Sequence, residues 1–153
     1  MNNQVFQAGN TFENSAIVAP GHARKVWRRI EEQLPGTGRI TNIANFATAG
    51  LIRSGMAVVK DTASGADEQD YKVLPWSDIT TAASGSGVDS LGIIGFLQED
   101  VPVKSANTYG TCTVIVKGEI YGYMLGDTES EAASVAAAIK GMTQKNGLAI
   151  RVV

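Results

Sequence analysis

The sequence predicts a mainly β domain, a compact β-barrel or β-sandwich with one or two short helices and an extended N-terminal arm. Three observations carry this expectation. Residues 91–97 (LGIIGFL) are almost continuously apolar, as a strand covered on both faces is. Residues 111–125 form a long β-run in which Thr113, Ile115 and Lys117 face one side while Cys112, Val114 and Val116 face the other. Seventeen glycines, 44% hydrophobic residues and only 18% charged residues lean toward strands and loops and away from helical bundles or disorder. At 153 residues the chain is long enough for one domain with a real core. The organisation expected is an arm over residues 1–55 and a β-body over residues 56–153.

Residues 2–20 are polar, with Val5, Phe6, Phe12, Ile17 and Val18 scattered at no sustained period. This reads as an arm whose isolated anchors order on a partner, or as a frayed terminus. From residue 22 to 34, Ala23, Val26, Trp27, Ile30 and Leu34 fall at i, i+3, i+4, i+7 and i+11, which predicts a helix between Pro20-Gly21 and Pro35-Gly36. Its charges oppose the helix dipole, with Arg24, Lys25, Arg28 and Arg29 early and Glu31 and Glu32 late. Either an acidic partner surface compensates, or the face is solvated with local pairing of Arg28 with Glu32, worth roughly 0.3–0.5 kcal/mol.

Residues 36–55 alternate small, polar and apolar types and fit short strands or loop equally. Residues 56–60 (MAVVK) and 71–74 read as short strands on either side of an acidic turn at residues 61–70. Residues 77–90, with SGSG at 84–87, read as a flexible loop, and residues 98–110 as a polar one. Gly118 and Gly122 inside the long β-run suggest a bulge or a sharp bend. Thr128 and Glu131 have capping-box spacing and open a helix over about 129–141, with Ala132, Val135, Ala136, Ile139 and Met142 as its apolar stripe and Gly141 as a left-handed stop. A terminal strand over residues 148–153 is expected to pair within the sheet.

Motifs for chemistry are sparse. One cysteine and one histidine are too few for a Cys/His zinc site, and no cofactor is predicted. His22 sits among basic residues, and Cys112 lies in strand alternation, so both read as structural. Gly36-Thr37-Gly38-Arg39 shares only glycines with a phosphate loop. Glu99 and Asp100 are adjacent and point apart. Asp61, Asp67, Glu68 and Asp70 lack calcium-loop spacing and read as a solvated surface. Neither a signal-peptide pattern nor a membrane-length apolar run is visible, so a soluble, cytoplasmically made protein is expected.

Net charge is −2, yet residues 1–60 carry seven Lys/Arg against three Asp/Glu, and residues 61–153 carry six against twelve. Such a split would let one copy's basic half meet another's acidic half. The cluster of Arg24, Lys25, Arg28 and Arg29 around Trp27 is a small footprint for nucleic acid, so no direct nucleic-acid contact is expected.

Residues of about 50–153 resemble the capsid decoration or structural cement proteins of tailed bacteriophages. The resemblance lies in Gly55-Met56-Ala57-Val58-Val59, in Leu91-Gly92-Ile93-Ile94-Gly95-Phe96, in Tyr109-Gly110, and in Val114-Ile115-Val116-Lys117-Gly118-Glu119-Ile120. It implies a small β-barrel or sandwich with an N-terminal extension, commonly trimeric, seated on the capsid and bracing neighbouring copies of the major capsid protein. The helix expected at 22–34 departs from the simplest form of that pattern. On this reading the protein is not an enzyme, and Val5, Phe6, Phe12, Arg24, Lys25, Arg28 and Arg29 are the partner-contact candidates. Another virion or tail component shares every compositional feature. A trimeric β-barrel nucleotide hydrolase such as a dUTPase would match in length, but Gly118-Glu119-Ile120-Tyr121 lacks the aspartate of that active-site segment.

Overall fold

The computed structural model describes residues 25–104, 109–145 and 147–153. In chain order the elements are β1 (Trp27–Gln33), β2 (Gly38–Ile40), β3 (Leu51–Ile52), β4 (Ala57–Lys60), β5 (Asp70–Val73), α1 (Trp76–Ser84), β6 (Ile93–Leu97), β7 (Val101–Pro102), β8 (Gly110–Cys112), β9 (Val114–Ile120), α2 (Glu129–Lys140) and β10 (Ala149–Val152). The protein is mainly β. One sheet runs β1-β9-β6-β4-β5-β2-β8 and curls as a half-barrel, with β10 joining it at β9; β3 and β7 form a separate two-stranded ladder.

The sheet is organised around β9. Along one edge it pairs antiparallel with β1, from Trp27 opposite Ile120 to Gln33 opposite Ile115. Its other edge is divided between two partners. Val114 and Ile115 pair with Leu97 and Phe96 of β6, and Lys117 through Ile120 pair in parallel with β10. Being covered on both faces, β9 buries Val114, Ile115 and Val116 in succession, so the alternation expected there does not appear as burial. The expected single β-run also breaks at Thr113 into β8 and β9, and it ends in a 3-10 turn at Gly122–Met124. β9 runs through Gly118, and a register irregularity of the β1–β9 ladder falls beside it, where Ile30 and Glu32 pair with Gly118 and Lys117.

The helix expected at 22–34 is corrected by β1, which occupies Trp27–Gln33. The charges that oppose a helix dipole find non-local partners in the strand. Arg28 and Arg29 reach Glu119, and Glu31 meets Lys117. Trp27 is buried, its indole Nε1 donating to the Leu97 carbonyl at 3.1 Å. Because β1 and β2 belong to the main sheet, the body begins before residue 56, inside the stretch assigned to the arm.

Residues 77–90 are a helix and a turn where a loop is expected. Trp76, Ile79 and Ala82 give α1 a narrow buried stripe, Pro75 starts it and Gly85 ends it. Small Ser, Thr and Ala residues conceal that stripe in the sequence. α1 packs on α2, which forms as the capping-box spacing predicts. The Thr128 hydroxyl accepts from Glu131 N at 3.1 Å, while the Glu131 carboxylate reaches back one residue further, to Asp127 N at 3.0 Å. Gly141 closes α2 in right-handed geometry, φ −82°, and so is not the left-handed stop expected of it. β10 is the terminal strand the sequence predicts, and it is parallel to β9.

Cys112 is buried, and burial pushes its thiol up to about 11. Native protein at pH 8 should therefore react with a disulfide reagent roughly 100-fold or more slowly than the urea-unfolded chain, since attack needs both thiolate and access. Stopped absorbance traces with and without urea check this, and equal rates would contradict the burial. Among the described residues no helix is long and apolar enough to cross a membrane.

Candidate interaction surface

Two charged clusters stand out, and β-pairing builds both. The first lies at the β1 margin. Glu119 is 8% exposed, and its carboxylate is approached by Arg151 at 2.6 Å, Arg28 at 3.3 Å and Arg29 at 3.6 Å. Register explains the convergence: Arg29 and Arg151 are both paired with Glu119, one from β1 and one from β10. Arg29 also pairs with Glu31, which Lys117 Nζ approaches at 3.8 Å. Three guanidinium groups around one carboxylate leave a positive excess and several N–H donors directed to solvent. The arginine side chains remain 53%, 62% and 68% exposed.

Of the predicted contact residues, Arg28 and Arg29 are thus brought together, and Lys25 is exposed just ahead of β1. Val5, Phe6, Phe12 and Arg24, like His22, lie outside the described residues. Sequence reasoning missed Arg151, Glu119 and Lys117. Their signal was a set of charges inside otherwise apolar strands, but only the pairing of β1 and β10 on β9 makes them neighbours.

The second cluster corrects the reading of residues 61–70 as a solvated acidic surface at its two ends, while Asp67 and Glu68 between them are exposed as expected. Asp61 and Asp70 are buried. Arg39 forks onto Asp70 through Nε at 2.7 Å and a terminal nitrogen at 2.8 Å, with Asp67 at 3.1 Å. The guanidinium also lies 5.7 Å from the Tyr109 ring centre. Asp61 accepts from the Thr41 hydroxyl and lies 3.6 Å from Lys72. Gly38 and Arg39 are strand residues of β2, placed here to bind the protein's own carboxylate. Asp100 likewise serves the fold, accepting from Ser54 N at 2.7 Å.

These contacts set an acid dependence. The Arg39 guanidinium and the Asp67 amide hold the Asp70 carboxyl at about 2, below its ordinary 3.8. The Thr41 hydroxyl lowers Asp61, and Thr143 lowers Asp89. A carboxyl depressed in the folded state is protonated more readily in the unfolded one. Its contribution is therefore present above about pH 4 and is lost as pH falls toward 2. Urea midpoints measured from pH 6 to pH 2 should drop over that window, and Asp70→Asn should flatten the drop while lowering the midpoint at neutral pH. An unchanged slope in the variant would exclude Asp70 as its source.

Comparison with models of known families, with curated proteins and with solved structures finds no match to this chain.

Proposed function

We propose that this chain is a non-enzymatic virion structural protein, a capsid decoration or cement protein that binds and stabilises the lattice of a major capsid protein. On this reading it is made in the host cytoplasm and sits on the capsid surface as a homo-oligomer, with the three-fold symmetry that the resemblance implies. Nucleic acid and membrane are not its partners. The observation that carries the proposal is the margin of exposed Arg28, Arg29 and Arg151 on a mainly β body, the first two of them shortly after residues 1–24 in the chain.

Bracing a lattice asks for a rigid body and several weak contacts acting together across neighbouring subunits. The sheet is suited to be that body, since β4, β6 and β9, which hold most of the segments on which the resemblance rests, are successive neighbours in it. The arginine margin offers donors to an acidic coat surface, and Val5, Phe6 and Phe12 are the apolar anchors assigned to the arm. A direct test adds purified protein to capsids that lack it and measures co-sedimentation and capsid melting. The intact chain should bind and raise the melting temperature, and both Arg151→Glu and deletion of residues 1–20 should weaken binding about tenfold or more. No binding by the intact chain, or binding indifferent to both changes, overturns the proposal. Robust magnesium-dependent nucleotide turnover would replace it with a hydrolase, and a position in the tail of the assembled particle, seen by electron cryo-microscopy, would replace it with a tail component.

A further inference from the structure

β1 ends the main sheet, and among the described residues no strand pairs with its outer edge. It is seven residues long, matched in length among the described strands by β9, and every residue after Trp27 is exposed. Ile30, at its centre, is 39% exposed, one of the few large apolar side chains so placed among the described residues. A long edge strand is a template for another strand, and natural sheets blunt such edges with charges that repel a second copy.

Here the charges are ordered so that they do the opposite. Residues 28–32 read Arg-Arg-Ile-Glu-Glu. Set antiparallel against itself about Ile30, this segment places Arg28 opposite Glu32 of the second copy, Arg29 opposite Glu31, and Ile30 opposite Ile30, with each pair repeated by the two-fold axis. Opposite charges directly across an antiparallel pair stabilise it, and a slip by one residue sets Ile30 opposite a charge. A parallel arrangement in register would place like charges side by side.

We infer that β1 is a homotypic docking edge, pairing antiparallel with β1 of a second copy across a two-fold axis and joining the two sheets into one. The contact is isologous, so each copy supplies the same edge. Arg28, Arg29 and Glu31 already have partners within the chain, and the second copy extends those pairs into a network. Glu32 has no ion-pair partner within 4.0 Å among the described residues, and it gains one from Arg28 of the other copy. This contact engages Arg28 and Arg29 of the arginine margin and leaves Arg151, on β10, to the coat surface, so its solution-mass test is read separately from capsid binding. A three-fold assembly that also used the β1 edge would double.

The test is the solution mass of the full chain with single charge reversals. At about 100 μM, well above a micromolar dissociation constant, sedimentation equilibrium should give an even multiple of the 16.1 kDa chain mass. Either Glu32→Arg or Arg28→Glu alone places two like-charged pairs across the two-fold and should weaken association about tenfold. Mixing the two variants restores opposite charges in every pair, so the mixture should recover the wild-type dissociation constant, about tenfold tighter than that of either variant alone. That recovery requires folded chains and so separates a lost contact from a lost fold. Deleting residues 1–20 should leave the even assembly intact. An odd-numbered or monomeric wild-type chain, an even assembly that neither reversal weakens, failure of the mixture to recover, or loss of assembly on the deletion overturns the inference, the last by assigning the contact to the N-terminal residues.

Discussion

Phe96→Ala should destabilise the protein by about 3–5 kcal/mol, a large share of the total stability of a domain this size. Phe96 is fully buried, and its strand is an interior one of the sheet, where Phe96 pairs with Ala57 on one side and Ile115 on the other. Truncation removes a large apolar surface and leaves a cavity between elements that cannot both close on it, because β4 and β9 are held by their own outer partners, β5 and β1. The urea midpoint should fall with an unchanged slope, and the melting temperature should drop by roughly 10 °C or more. Phe96→Leu keeps most of the volume and should cost less than about 1.5 kcal/mol. A loss below about 1 kcal/mol for the alanine variant would show that the site collapses and that the sheet is less rigid than its ladders indicate.

Gly118→Ala is the second large effect, and its cause is the reverse. A Cβ at position 118 would overlap the Arg29 carbonyl oxygen and lie 3.3 Å from Ile30 Cα, so the obstacle is backbone and cannot rotate aside. β1 must move off β9 to admit one methyl group. The expected cost is about 2–3 kcal/mol, the upper part of the range for overpacking. The consequence is also local. Trp27 leads into β1 and donates its indole N–H to the Leu97 carbonyl, whereas Trp76 lies in α1 with no hydrogen-bond partner for its own among the described residues. In a proton–nitrogen correlation spectrum the Trp27 indole signal of the variant should shift or broaden, and that of Trp76 should stay in place. Equal shifts in both, or in neither, would count against a displaced β1.

Much of the fold is legible in the sequence because its signals are local. The apolar run in β6, the strands β4 and β5 around a turn, the capping box of α2 and the terminal β10 each depend on residues within one element. The surface cluster is less legible. Arg28 and Arg29 are conspicuous as charges, but their grouping with Arg151 around Glu119 joins β1, β9 and β10, which lie far apart in the chain. The two ends of the turn at residues 61–70 misled for a related reason: Asp70 is buried where Arg39, in the parallel neighbour β2, comes to meet it.

Residues 27–33 divide the two kinds of information most sharply. By itself the sequence determined the mainly β class, the capped C-terminal helix, and the inverted order of charges in Arg-Arg-Ile-Glu-Glu. Only the tertiary structure decided that this segment is a strand and not a helix. The apolar spacing allows either state, and local propensity separates them by a few tenths of a kcal/mol per residue. The ladder with β9, the Trp27 contact and the Glu119 cluster together exceed that difference, and all of them come from residues about 60 or more positions away.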